Sequence, residues 1–315
     1  MNPPLAPAFI AQLQACLGRE SLLIDPAECL AYGYDNSRRQ AMPDAVALPT
    51  NAQQVQALVR ACRKAGVPIT ARGRGTNTTG ASVPIHGGLV LSFERMNRIV
   101  SIEPGDRSAV VEPGVLNGDL QTALAEHGLF WPPDPTSAPF CTIGGNLACN
   151  AGGPRAVKYG ASRDNLLGLV AVTGTGEIVR LGGATTKASS GFDLSRLLVG
   201  SEGVLALIVE ATLRLVPLPS QRRVLRALYR DTASAAQAVA RLMAQPNTPS
   251  MVRASPSSSA PRPKTRSISN PCARICKRFT RIPRWRCARS ARATWQNCSA
   301  AWAPAVSKPA AAPNP

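Results

Sequence analysis

The chain has 315 residues and a formal net charge of +18, with 36 Lys and Arg against 18 Asp and Glu. Such a length holds two domains and a sizeable core, and no apolar run approaches the roughly 20 residues that a helix needs to cross a membrane. The charge suggests nucleic acid at first sight, but residues 251–315 carry 13 of the basic residues and no acid. The first 250 residues, with 23 basic and 18 acidic side chains, have the balance of an ordinary soluble protein.

In chain order, residues 8–17 read as a short helix. The segment "MNPPLAPAFIAQLQACL" lacks a basic n-region, which argues against a secretory signal. The nine cysteines are odd in number and fit no zinc spacing, so a cytoplasmic location with reduced thiols is expected. Residues 51–64 form a stronger helix. Thr50 or Asn51 can cap it, Val55, Leu58, Val59 and Cys62 share one face, and Gly66 and Pro68 stop it. Strands near 46–48, 67–70 and 89–93 complete a β–α–β pattern, and more follow at 98–102 and 108–112. An amphipathic helix spans 116–128, and strands recur at 166–173, 177–181 and 204–215. The mixture is α+β without an internal repeat. A strand at 224–229, "VLRALY", and a helix at 234–245, "SAAQAVARLMAQ", open a further domain. From about Met251 neither period continues, and composition predicts a disordered tail. Two readings of that tail stay open, a nucleic-acid-binding arm and translation out of frame. Its free use of Cys and Trp favours the second. The expected plan is thus 1–219, 220–250 and 251–315.

Three glycine-rich clusters stand out. The first, "RGRGTNTTG" from Arg72, has two glycines of a Rossmann fingerprint, Gly73 and Gly75, but Thr78 at the third position. Gly75 to Gly80 has the spacing of a Walker A loop, but Ala81 stands where the lysine belongs. Pro84, Gly87 and Gly88 forbid a helix directly after it, so the loop joins strand to strand. Its backbone amides can still converge on an anion, with Arg72 and Arg74 adding positive charge and Thr76, Asn77, Thr78 and Thr79 adding donors. A polar surface loop without a ligand has the same composition. The second cluster, "PPDPTSAPFCTIGGNLACNAGG", and the third, "LLVGSEGVLALI", also allow close backbone approach. Turns beside buried strands would account for either alone; three in one chain favour a site.

With "VKYGASRDNLLGL", "YGYDNSRRQAMPDAVALP" and "RMNRIVSIEP…VEPGVLNGDL", these clusters resemble, in order and spacing, the PCMH-type FAD-binding domain of the vanillyl-alcohol-oxidase flavoprotein superfamily. The resemblance covers about residues 28–219 and leans toward the glycolate oxidase D-subunit and D-lactate dehydrogenase branch. It implies two subdomains clamping FAD, followed by a substrate cap that is incomplete here. By that resemblance Gly73, Arg74, Gly75, Thr76, Asn77 and Gly80 would hold the pyrophosphate. Asp134, Ser137, Thr142, Gly144, Gly145, Asn146 and Asn150 would line the flavin and ribityl side. Glu202, Gly203, Val204 and Ile208 would meet the isoalloxazine or the adenine end. The first loop has no His or Cys for a covalent link, so FAD is expected to be non-covalent, and Cys141 reads as a packed small residue.

The chemistry implied is oxidation of a D-2-hydroxy acid to a 2-oxo acid, with hydride passing from Cα to flavin N5 and electrons going on to a quinone, cytochrome or partner subunit. Val204 and Ala206 depart from the family's common pattern, and so does "TTKASSGFDL". The only histidines are His86 and His127, both ahead of the cap. No general base, substrate-binding Arg or metal set can be named. A non-catalytic flavin-binding subunit and a protein acting through its basic tail are the alternatives.

Overall fold

The computed structural model describes residues 5–185, 191–229 and 231–252. A first unit comprises Met1–Ala227 and Ala236–Ser255. Of a second, residues 228, 229 and 231–235 are described, and they contain the start of the last helix. In chain order the elements are α1 (Pro7–Leu17), β1 (Leu22–Leu23), α2 (Pro26–Cys29), β2 (Ala45–Ala47), α3 (Ala52–Ala65), β3 (Ile69–Arg72), β4 (Leu89–Ser92), β5 (Ile99–Glu103) and β6 (Ser108–Val111). They continue with α4 (Asn117–Ala125), β7 (Leu129–Phe130), α5 (Ile143–Ala148), α6 (Ala156–Tyr159), β8 (Leu166–Thr173), β9 (Ile178–Gly182), α7 (Leu194–Leu198), β10 (Ala206–Arg214), β11 (Val216–Pro217) and α8 (Thr232–Met243).

Two sheets organise the first unit. One runs β1-β2-β4-β3, with β2, β4 and β3 mutually parallel and β1 antiparallel on the edge. The other runs β5-β6-β10-β8-β9 and is antiparallel throughout. Helix α3 starts as its sequence dictates. The Asn51 side chain accepts a hydrogen bond from Gln54 N at 2.9 Å, and Gly66 closes the helix in the left-handed region at φ 68°. Val55, Leu58, Val59 and Cys62 form its buried face.

Strands β8 and β10 are buried on both faces, and the period-2 alternation sends neighbours to different cores. Val170, Val172, Leu207 and Val209 join α1, α3 and the parallel sheet in one core. Leu169, Ala171, Ala206 and Ile208 join α4, α5 and Trp131 in the other. A bulge between Ile208 and Glu210 resets the register. These two cores draw on residues from Phe9 to Leu215.

The structure corrects several sequence expectations. Strand β3 starts at Ile69 rather than 67, because Val67 N is engaged by Cys62 O at 2.9 Å in the α3 cap and Pro68 has no N–H to offer a ladder. The shift places Arg72 as the last residue of the strand. The helix expected over 116–128 ends at Ala125. The second glycine cluster folds into helix α5 instead of an open loop, because the Thr142 hydroxyl caps it by accepting from Gly145 N at 3.2 Å. No strand forms at 224–229. Val224 and Leu225 are 94% and 89% exposed, and without a ladder partner among the described residues an extended run is not a strand. The tail from residue 253 lies outside the described residues.

Candidate functional site

Strand β3 leads into a loop of residues 73–88 that returns the chain to β4, its parallel neighbour. Parallel strands need a crossover of about a dozen residues; here irregular chain takes the place of a helix. The N-terminal segment braces the loop. Asn36 N donates to Asn77 O at 3.1 Å, and Asn36 Nδ2 to Thr76 O at 3.3 Å. Asn77 Nδ2 donates to Asp35 Oδ2 at 2.7 Å and to Thr79 Oγ1 at 3.2 Å, while Asn77 Oδ1 accepts from Ser82 Oγ at 2.8 Å. The Asn77 side chain is therefore committed within the protein. Burial pushes the Asp35 carboxyl up, but hydrogen bonds from Ser37, Asn77 and Ser82 outweigh it and hold the group below its ordinary value.

A cleft opens above this loop. Ala71, Arg72, Gly73, Asn77, Ala81, Ser82 and Phe93 form one wall, and Pro113, Thr142, Gly144, Gly145, Ala148 and Cys149 another. Leu198, Ser201, Glu202, Gly203, Ala206, Leu207 and Ile208 complete it. Its empty volume is about 640 Å³, counting the part open to solvent. All three glycine clusters meet here. The approach is close: a side chain on Gly73 would overlap the Thr142 hydroxyl. The third segment is tied to the second, with Gly200 N donating to Leu147 O at 3.0 Å and Glu202 N to Ala148 O at 2.9 Å. Glu202 takes a left-handed conformation, φ 54°, a sparsely populated region for such a residue.

Of the residues singled out from sequence, Gly73, Asn77, Thr142, Gly144, Gly145, Glu202, Gly203 and Ile208 line the cleft. The others lie elsewhere. Arg74 is exposed, and Val204 is exposed on the far side of the Gly203 turn. Gly75, Thr76 and Gly80 belong to the braced loop without forming the wall. Asp134 is turned to Arg155, with Oδ1 accepting from Arg155 N at 3.0 Å and Oδ2 lying 3.1 Å from Nε. Ser137 starts a turn whose carbonyl accepts from Phe140 N and Cys141 N. Asn150 Oδ1 accepts from Arg163 N at 3.0 Å. Asn146 is buried off the wall, and its Nδ2 has no partner among the described residues. Sequence reading missed Ser82, Phe93, Cys149, Leu198 and Leu207 as lining residues. Burial, then the charges of Glu202 and Asp35, push the Cys149 thiol up to about 11, so it stays a neutral wall residue. Arg72 enters the sequence reading only as one of two loop charges; the structure buries it at the end of β3 and leaves Arg74, in the loop, exposed.

The backbone donors decide what this wall can hold. No backbone N–H from residue 74 to residue 80 donates a hydrogen bond among the described residues. The first-turn amides of α5, by contrast, are all engaged: Ile143 with Val115 O, Gly144 with Pro113 O, and Gly145 with Thr142 Oγ1. An array of uncommitted amides in a glycine-rich loop suits an anion, whereas an α5 amide could serve one only by giving up an existing partner. The residues present thus fit a diphosphate-bearing cofactor. Among the described residues, no group of three or more His, Cys, Asp or Glu could hold a metal ion. No helix among them is long and apolar enough to cross a membrane.

Comparison with known proteins agrees with this geometry. Residues 43–182 match the family model described as an FAD binding domain. Glycolate oxidase subunit GlcD of Bacillus subtilis (strain 168) is 44% identical over 234 residues, which are 74% of this chain and 50% of that protein. D-lactate dehydrogenase of Anaerostipes hadrus is 41% identical over 180 residues, 57% of this chain and 38% of that protein. Among solved structures, alkyldihydroxyacetonephosphate synthase superposes with a TM-score of 0.63 at 26% identity, covering 70% of this chain and 46% of that one. The chain spans about half the length, or less, of the relatives it matches. The cleft where three glycine segments meet, the loop amides without partners and the match over residues 43–182 agree in a likeness to FAD binding domains.

Proposed function

We propose that this chain provides the FAD-binding half of a D-2-hydroxy-acid oxidoreductase of the glycolate or D-lactate type, with FAD held non-covalently. The observation that carries the reading is the cleft where all three glycine clusters meet, entered from a glycine-rich loop whose backbone amides at residues 74–80 have no partner among the described residues. Those amides, with Gly73 and Gly75 allowing close approach, would hold the diphosphate. Thr142, Gly144 and Gly145 would form the wall against the flavin and ribityl portion, with Glu202, Gly203 and Ile208 opposite. Phe93, Leu198 and Leu207 keep the interior apolar and exclude water.

When bound, FAD supplies a two-electron acceptor for the α-hydrogen of a 2-hydroxy acid. The residues lining the cleft include Arg72, Cys149 and Glu202 as titratable groups and no histidine. Cys149, held protonated, is no base at neutral pH. The described residues therefore bind and orient the cofactor, while recognition of the 2-hydroxy acid falls to residues beyond this cleft. An electron-accepting partner subunit and a cytoplasmic location complete the proposal.

The test uses the full chain. The purified protein, or the apo-protein titrated with FAD, is expected to show visible flavin absorption with quenched or shifted fluorescence. Protein that stays colourless after exposure to FAD overturns the reading. Anaerobic D-lactate or glycolate then separates two cases: bleaching supports an oxidoreductase competent as it stands, and persistent colour supports a flavin-binding subunit.

A further inference from the structure

We propose that Arg72 is the positioning residue for the cofactor's diphosphate: its guanidinium, fixed beneath the 73–80 loop, is the fold's counter-charge to the phosphates and sets its preference for a dinucleotide over an uncharged flavin. This rests on the FAD reading above. Four observations carry it. Arg72 lines the cleft, yet the residue is only 7% exposed. Its position is over-determined, with Nη1 donating to Tyr34 O at 2.7 Å, Nη2 donating to Ala31 O at 3.1 Å, and Cζ lying 5.8 Å from the centre of the Tyr32 ring. It also packs directly under the loop of uncommitted amides: a methyl group on Gly75, which sits at φ 63°, would lie 2.5 Å from Nη2.

The fourth observation is the state of its charge. None of the ion pairs among the described residues includes Arg72. Asp35 and Glu94 act on it through space without touching it, their oxygens taking hydrogen bonds from Ser37, Asn77 and Ser82 and, at 3.0 Å, from Tyr32 Oη. Backbone carbonyls satisfy the N–H groups but do not neutralise a cation. A buried cation that no carboxylate touches gains from a further anion placed close to it, and the glycine-rich loop that rests on Arg72 offers such a place. Arg74, chosen by motif alone, is exposed and its charge is screened by water.

The alternative role for Arg72 is scaffolding, tying residues 31–34 to β3, and the experiment separates the two. Dissociation constants for FAD and riboflavin are measured by flavin fluorescence on the full-length wild type, Arg72→Met and Arg72→Lys. A counter-charge role predicts that Arg72→Met weakens FAD by about 10- to 100-fold and riboflavin by less than about 3-fold, with Arg72→Lys holding FAD within about 5-fold of wild type. Equal losses for both ligands in Arg72→Met, or no loss for FAD, overturn the proposal. If Arg72→Met fails to fold, Arg72→Lys decides: it keeps the charge but not the forked contacts, so a loss of FAD binding as large as that expected for Met refutes the counter-charge. A wild type that binds neither ligand refutes the FAD reading itself, a distinct result.

Discussion

Gly73→Ala offers a test of how the cleft is held together. The new methyl would meet the Thr142 hydroxyl, which is buried and caps α5 through Gly145 N. Its cost is that of overpacking, about 2 kcal/mol, reduced by about 0.5 kcal/mol because alanine restricts the unfolded chain. Thr142→Ala removes the cap for about 1 kcal/mol and also removes the atoms that Gly73→Ala would strike. The double variant should therefore cost about 0.5 kcal/mol, less than the loss of the cap alone, and the two changes should couple by about 2 kcal/mol, the whole overpacking term. Urea unfolding of apo-protein measures each corner of the cycle, and Gly73→Ala alone should lower Tm by about 3–6 °C. Additivity within about 0.5 kcal/mol would show that residue 73 and residue 142 do not touch, and would dissolve the contact that joins the first and second glycine clusters.

Three further outcomes are expected. The Asp35 carboxyl lies below its unfolded value in the folded chain, so the stability it contributes is present above about pH 4 and is lost as pH falls through the folded value. Asp35→Asn should flatten the stability–pH curve in that acid window; an unchanged acid limb would refute the brace. Cys149, pushed to about 11, and Cys62, pushed to about 12, should resist alkylation at pH 8 in the native state. Mass-spectrometric mapping that finds either modified as fast as a free thiol would contradict their burial. Asp134→Ala should destabilise the fold by about 1–3 kcal/mol through loss of its contacts to Arg155, while FAD affinity moves less than about 3-fold. A large affinity loss at full stability would make Asp134 a ligand instead of a brace.

The regular elements were legible because their signals are local. Asn51, Gly66 and the spacing of Val55, Leu58, Val59 and Cys62 define α3 without outside help, and the apolar run 166–173 is β8 to the residue. The three clusters were legible as glycine runs, and eight of their named residues reach the cleft. What was hidden depends on who stands opposite. Asn77 carries the donors of a ligand contact but gives them to Asp35 and Thr79. Asp134 has the profile of a site acid but faces Arg155. Phe93, Leu198 and Leu207 look like ordinary core residues, and only the convergence of β10, α7 and the end of β4 makes them a wall. The segment 224–229 has strand composition but no neighbour to pair with, which a single-segment reading does not register.

Among the described residues, neither of the two large cores draws on one after Leu215, and β8 and β10 serve as a party wall between them. The described residues that build these interiors thus all precede the change in sequence character near residue 219. Replacing the described residues 216–229 and 231–252 would take no side chain from either of these interiors. The cofactor cradle is thus a socket whose described packing asks nothing of residues 216–229 and 231–252.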